Sequence, residues 1–161
     1  MAAHRTLAEP LHLWRIGDPA GEHPVWNAMG AMLYPGRWNV EGDAIIYAAT
    51  TYSLAMLEKL AHWSGKLPAN KHFVEAVVPV GVSYEVFQPS SHPGWDTEAS
   101  DTSKKFGATW LKEGRSAILM VPSVLSPAER NFVVNTRHPD AAQIRPGLET
   151  PVHWDQRLFK L

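Results

Sequence analysis

Prolines and glycines break this sequence so often that no helix or strand in it can run far: thirteen prolines and eleven glycines stand among 161 residues. Proline fixes φ and removes a backbone donor, and glycine weakens the interior of any regular element. The chain must therefore be assembled from many short elements. Short strands interleaved with helices predict an α+β fold with mostly non-sequential strand pairing.

The elements can be placed from local pattern. Leu11–Ile16 reads as a first strand, residues 26–33 as a short helix or loop, and Ile45–Ala49 as a β-branched and aromatic strand. Thr50 or Thr51 caps a helix over residues 52–63, with Leu54, Leu57 and Ala61 at i, i+3 and i+7. His72–Pro79 and Val82–Phe87 are strand-like, and the polar, proline-broken stretch from Gln88 to Ser100 reads as a surface loop. Ser100 or Asp101 caps a helix through Trp110–Lys112, and Ala117–Val121 is a buried-looking strand. Ser126-Pro127-Ala128-Glu129 has the form of a capping box, predicting one helical turn. Phe132–Val134 returns to strand, Pro139–Ala142 to a turn of helix, and Val152–Phe159 closes as a strand.

One segment of thirty residues, Tyr34 to Trp63, concentrates the chemistry. Pro35-Gly36 makes a turn, the proline presetting φ and the glycine accepting positive φ, and it delivers Arg37 and Trp38 from a bend. Tyr47 sits in the short strand. On a helical wheel Glu58 falls about 40° from Leu54, at the edge of the apolar stripe, while Lys59 marks the polar side. A carboxylate there is costly unless something binds it. An arginine, an aromatic ring and such an acid suit a ligand carrying phosphate, a flat ring and sugar hydroxyls, such as a dinucleotide. Each has a plainer role open to it: a solvated arginine, a core tyrosine, an acid paired with His62.

Composition narrows the field. One domain of this length can bury roughly 70% of its unfolded surface, and 45% hydrophobic residues with seven tryptophans suffice for a core. A net charge of −1 and a pI of about 6.7 leave no electrostatic footprint for nucleic acid, which argues against direct binding to it. The absence of cysteine excludes disulfides and thiolate chemistry and suits a reducing cytoplasm. The N-terminus lacks the apolar core of a signal peptide and no run is long enough to span a membrane, so a cytoplasmic location is expected. Eight histidines without an HxH or HxxxH pair argue against a metal site.

The string GRWN…IIYAATTYSLAMLEKLAHW, followed by LMVPSVLSPAERNFVVNTRHPDA, resembles the RES-domain family, toxins of bacterial toxin–antitoxin pairs whose partner is an Xre-like helix-turn-helix antitoxin. The likeness runs from Leu13-Trp14-Arg15-Ile16 to Arg157-Leu158-Phe159, so one RES domain over residues 1–161 is expected, with its core at about 11–160. Arg37, Tyr47 and Glu58, spaced by ten and then eleven residues, match the family's pattern, as does Ser123 in Val121-Pro122-Ser123. Departures are Asn135-Thr136-Arg137-His138-Pro139, where the family commonly has Asn-Pro-x-His-Pro, and Pro35, where it often has glycine.

The resemblance implies a fold similar to that of ADP-ribosyltransferases, two abutting β-sheets flanked by short helices around an NAD cleft. It implies cleavage of the nicotinamide–ribose bond of NAD, by hydrolysis or phosphorolysis, with NAD as substrate and no true cofactor. Arg37, Tyr47, Glu58 and Ser123 are the catalytic candidates. Arg15, Trp38 and Asn135 are candidate substrate contacts, each with a structural alternative: an ion pair for Arg15, core packing for Trp38, as for Trp14, and a cap on the His138-Pro139 turn for Asn135. Two other readings remain open: an ADP-ribosyltransferase acting on a protein, and a non-catalytic module that only binds its partner. The expected partner is the Xre-like antitoxin, in a complex that leaves room for a homo-oligomer.

Overall fold

The computed structural model describes residues 5–18, 21–62 and 71–159. The strands are β1 (Arg5–Thr6), β2 (Leu11–Gly17), β3 (Ile45–Ala49), β4 (His72–Val78), β5 (Ser83–Val86), β6 (Ile118–Pro122), β7 (Arg130–Asn135), β8 (Arg145–Pro146) and β9 (Thr150–Pro151). The α-helices are α1 (Met29–Leu33), α2 (Tyr52–Ala61) and α3 (Asp101–Glu113). Trp63, at the end of the expected helix, lies outside the described residues.

Pairing follows the order β1-β5-β6-β7-β3-β2-β4-β8, with β9 also on β4, so sequence neighbours are seldom sheet neighbours. Only β5–β6 is parallel among the described pairs. The path is uneven. β2 and β4 share seven residue pairs and β3 and β7 share five, yet β2 meets β3 through the single pair Trp14–Ala49. The described strands form one hydrogen-bonded sheet and not the two abutting sheets expected, because the pair Trp14–Ala49 links its two halves. A cleft opens at that point.

Alternation along β3 sorts its side chains to two cores. Ile46 and Ala48 face a cluster with Leu13, Val78, Ile118 and Phe132. Ile45 and Tyr47 face the other side, where Trp38, Phe87, Trp110, Leu119 and Val133 pack. A third cluster, Ile16, Ala49, Leu54 and Ala55, fastens α2 to the junction of the two halves. Helix α2 starts where expected, because the Thr51 side chain accepts from Leu54 N at 3.0 Å. Helix α3 ends in left-handed Gly114, with Gly114 N donating to Leu111 O and Arg115 N to Trp110 O, the closing pattern of a Schellman motif.

Five further expectations from sequence are corrected. Ser126–Glu129 is a tight turn, not a helical one: Glu129 N donates to Ser126 O at 2.9 Å, and the chain must reverse at once for Arg130 to pair with Pro122. Residues 152–155 are irregular and Gln156–Phe159 is a 3₁₀ turn, because Asp155 binds the Arg157 backbone and guanidinium and so bends the chain. Ser100 stands at the N-cap of α3 as expected, but it does not cap with its side chain; at φ 60° its hydroxyl donates back to Thr97 O and Glu98 O. The 88–100 stretch is more than a surface loop, since Trp95 stacks on Trp38 at 6.1 Å and meets Phe87 at 6.0 Å. Gly36 is not among the glycines at positive φ; what it needs is space beside the Tyr47 ring. No helix of the described residues is long and apolar enough to cross a membrane.

Candidate active site

The cleft at the β2–β3 junction holds about 750 Å³. Its walls come from Trp14 and Arg15 of β2, Tyr47 and Ala49 of β3, Glu58 and Lys59 of α2, the 34–38 loop, and Asn131 of β7. Residues remote in sequence meet there because the two half-sheets do.

Glu58 is bound, as a carboxylate on the edge of an apolar stripe must be. Its Oε1 accepts from Ser123 Oγ at 2.8 Å and from Asn131 Nδ2 at 2.7 Å. Ser123 is itself held, its Oγ accepting from Ser126 N at 3.0 Å in the turn between β6 and β7. Both bonds to the acid fall on Oε1, so Oε2 accepts none among the described residues. Turning the Asn131 amide over would set its oxygen against the carboxylate, so Nδ2 faces Glu58 and Asn131 Oδ1 is buried with no partner among the described residues. Ser123 is fully buried and is not part of the cleft lining. It therefore positions Glu58, rather than offering its hydroxyl to a ligand directly.

The 34–39 loop is knotted by Asn39, which sequence reading passed over. Buried Asn39 accepts through Oδ1 from Gly36 N at 2.7 Å and from the Tyr47 hydroxyl at 2.6 Å, and donates Nδ2 to Ala31 O at 2.9 Å. The Tyr47 hydroxyl in turn accepts from Trp38 N at 2.9 Å. Burial holds the Tyr47 phenol far above its ordinary pKa, so it stays neutral. A Cβ on Gly36 would stand 2.9 Å from the Tyr47 ring, and one on Gly107 would stand 1.8 Å from Trp38 O. Only glycine lets α3 and Tyr47 close on this loop from either side. Arg37 is thereby fixed on the cleft wall, with Nη1 donating to Thr97 O at 2.7 Å and to Trp95 O at 3.1 Å. Its Nε and Nη2 carry no bond within the described residues.

Two further cations line the cleft. Arg15 donates Nε to Val25 O at 2.7 Å and Nη1 to Tyr47 O at 2.9 Å, and makes no ion pair among the described residues; desolvation lowers its pKa. The ion pair weighed as its structural role is thus not made. Lys59 does not mark the polar side of α2: it is half-buried on the cleft. Burial first, then the charges of Arg15 and Lys71, push its pKa down to about 8.

Of the other candidates, Trp38 touches the cleft but is buried among Phe87, Trp95 and Phe106. Asn135 lies outside the cleft lining. It is buried at the far end of β7, where its Oδ1 accepts from Arg137 N at 3.1 Å and caps the turn. Four residues of strand, about 13 Å, separate it from Asn131, the asparagine that does reach the site. Strand β7 carries Arg130 and Asn135 beside Asn131, so no sequence signal singles Asn131 out; its pairing opposite Ala49 places it at the site. Among the described residues no cluster of three or more histidines, aspartates or glutamates is arranged to hold a metal ion.

The model of the RES domain family matches residues 12–155. The chain is 41% identical over 154 residues to a protein of Sphingobium sp. strain YBL2 named Prs ADP-ribosylating toxin, covering 91% of this chain and 96% of that one. It is 32% identical over 152 residues to a Toxin Res of Pseudomonas putida, covering 91% and 99%, and 36% identical over 115 residues to a Toxin Res of Yersinia enterocolitica, covering 70% and 76%. In solved structures the fold is similar to a chain in the crystal structure of the M. tuberculosis MbcT–MbcA toxin–antitoxin complex, at TM-score 0.71 and 15% identity over 91% of this chain and 86% of that one. The one-domain match and the full-length relatives agree: this chain belongs to the RES domain family.

Proposed function

We propose that the cleft binds NAD and cleaves its nicotinamide–ribose bond, and that the chain acts as the toxin of a bacterial toxin–antitoxin pair. The observation that carries the chemistry is Glu58, bound through Oε1 by two neutral donors and with Oε2 unspent, in one cleft with Arg37. Breaking that bond passes through an oxocarbenium-like state in which positive charge grows on the ribose. Oε2 would accept from a ribose hydroxyl, and the carboxylate would stabilise the growing cation more than the ground state, which is what accelerates a reaction. Nicotinamide leaves as a neutral molecule from a cationic ring, so it needs positioning and not protonation. The Tyr47 ring supplies a platform, and the planar fork of Arg37 suits the pyrophosphate. Likeness to the ADP-ribosyltransferase fold is part of the same proposal.

The toxin role is supported by three relatives, 32–41% identical, that carry toxin in their names. An Xre-like helix-turn-helix antitoxin is the partner proposed for it. A second reading, transfer of ADP-ribose to a protein, is favoured by the name of the Sphingobium relative, an ADP-ribosylating toxin.

The test is to incubate the purified chain with NAD, with and without inorganic phosphate and with a cell extract, and to follow products and proteins by mass spectrometry. Release of nicotinamide is expected, and the fate of the ADP-ribosyl group separates water, phosphate and protein as acceptor. NAD left intact under every condition would leave a module that only binds a partner. Expression in a bacterial host should arrest growth, and harmless accumulation of intact, folded protein would sink the toxin role.

A further inference from the structure

Lys59 has no part in the reaction as described above, yet it lines the same cleft as Glu58. It follows Glu58 on α2, about 100° further round the helix. Among the described residues its ammonium has no hydrogen-bond or ion-pair partner. The acid that acts on it, Asp18, is paired with Lys71 at 3.5 Å. Arg15 of β2 lines the same cleft and its charge opposes that of Lys59, and Arg15 still has Nη2 unspent after bonding Val25 O and Tyr47 O. Two cations lining one cleft, with the nearby acid Asp18 shared with Lys71, are costly unless a further anion joins them. Arg37 cannot be that cluster's anion-binding edge, because it is anchored to Trp95 O and Thr97 O on another element. The cleft therefore has two cationic poles.

We infer that Lys59, backed by Arg15, forms a second anion subsite of the cleft that takes a phosphate group. The inference rests on the cleft being a site for a phosphate-bearing ligand. The phosphate has two possible sources: inorganic phosphate standing beside the ribose, or a phosphate of the dinucleotide itself.

Three proteins test it, all carrying Glu58→Gln so that NAD is consumed at least a hundredfold more slowly (about 10²–10³): that parent, and the parent with Lys59→Gln or with Lys59→Arg. Each is titrated calorimetrically with inorganic phosphate, with NAD and with NADP. Loss of a charged contact should weaken binding about tenfold or more in Lys59→Gln, and Lys59→Arg should stay within about threefold of the parent, since the charge is kept. A change confined to inorganic phosphate identifies it as the occupant. A change confined to the dinucleotides identifies their own phosphate, and a larger change for NADP than for NAD singles out the ribose phosphate. Unchanged affinity for all three, or a parent that binds none of them, overturns the subsite.

A measurement on the wild-type chain stands apart from any failure of the variants to fold. Lys59 should be acylated by an amine-directed reagent, and inorganic phosphate or NADP should protect it, read by peptide mass spectrometry. Equal labelling with and without each ligand also overturns the subsite. None of these readouts needs turnover. Phosphate bound through Lys59 by a protein that leaves NAD intact would keep this inference and sink the enzymatic reading.

Discussion

Glu58, Lys59 and Asn131 show how differently single residues announce themselves. Glu58 was legible, because an acid at the edge of an apolar stripe demands a partner; its partners Ser123 and Asn131 lie 65 and 73 residues away, and no local pattern pointed from Glu58 to Asn131. If the proposed reaction holds, Glu58→Gln should fold normally and lose about 10²–10³ in turnover, because the amide keeps the shape and drops the charge that would face the developing cation. Arg37→Ala should instead raise KM with kcat largely kept, since phosphate charge does not change during the reaction. Steady-state kinetics on both variants checks this, and near wild-type turnover in Glu58→Gln would make it a structural residue.

Lys59 carries a prediction of its own at this scale. Its pKa falls from 10.5 to about 8 through burial and through Arg15 and Lys71, with Asp18 opposing weakly. Between those values the unfolded chain holds the proton more tightly than the folded one, so folding stability gained from this group rises with pH across that window. Below about 8 the lysine is charged in both states and its cost is felt in full. Lys59→Gln should therefore be more stable than wild type near neutral pH, and the gap should close as pH rises through the window. Urea unfolding of the two proteins at several pH values measures it, and parallel profiles would show that Lys59 is not held against its preference.

At the scale of elements, strand β3 and the start of α2 were readable because their signals are local: a β-branched run, then a threonine cap. Thr51→Ala should cost about 1 kcal/mol, through loss of the bond to Leu54 N. The turn at Ser126–Glu129 was misread because its side-chain pair, Ser126 Oγ to Glu129 Oε2 at 3.0 Å, serves a hairpin as well as it serves a helix. The close fit of α3 against Trp38 had no sequence signal beyond one glycine inside a helix. Gly107→Ala should destabilise by about 1–3 kcal/mol or more, because the added carbon meets backbone and the helix must move. Chemical denaturation reads the loss, and a rise in KM would follow from the displaced Arg37 loop.

At the scale of the whole molecule, the site exists because two half-sheets meet at Trp14–Ala49 and α2 seals the seam. A ligand spanning Arg37 and the α2 wall should tie the halves together. Saturating the slow Glu58→Gln variant with NAD at about 100 times its Kd should stabilise it by about 2.7 kcal/mol. Thermal melts with and without NAD report that gain, and hydrogen exchange should show the added protection at β2, β3 and α2. Unchanged melting would mean that NAD does not occupy the seam.

What the sequence determined by itself was whatever depends on neighbours in the chain: the many short elements, β3, the capped start of α2, and the spacing of Arg37, Tyr47 and Glu58. Only the tertiary structure decided which residues surround those three. Strand order is set by burying both faces of a sheet whose partners lie far apart in sequence, and so it alone brought Asn131 to Glu58 and sent Asn135 away. It also turned Lys59 inward beside Arg15, because α2 packs on the seam through Leu54 and Ala55 and draws the adjoining turn of helix into the cleft.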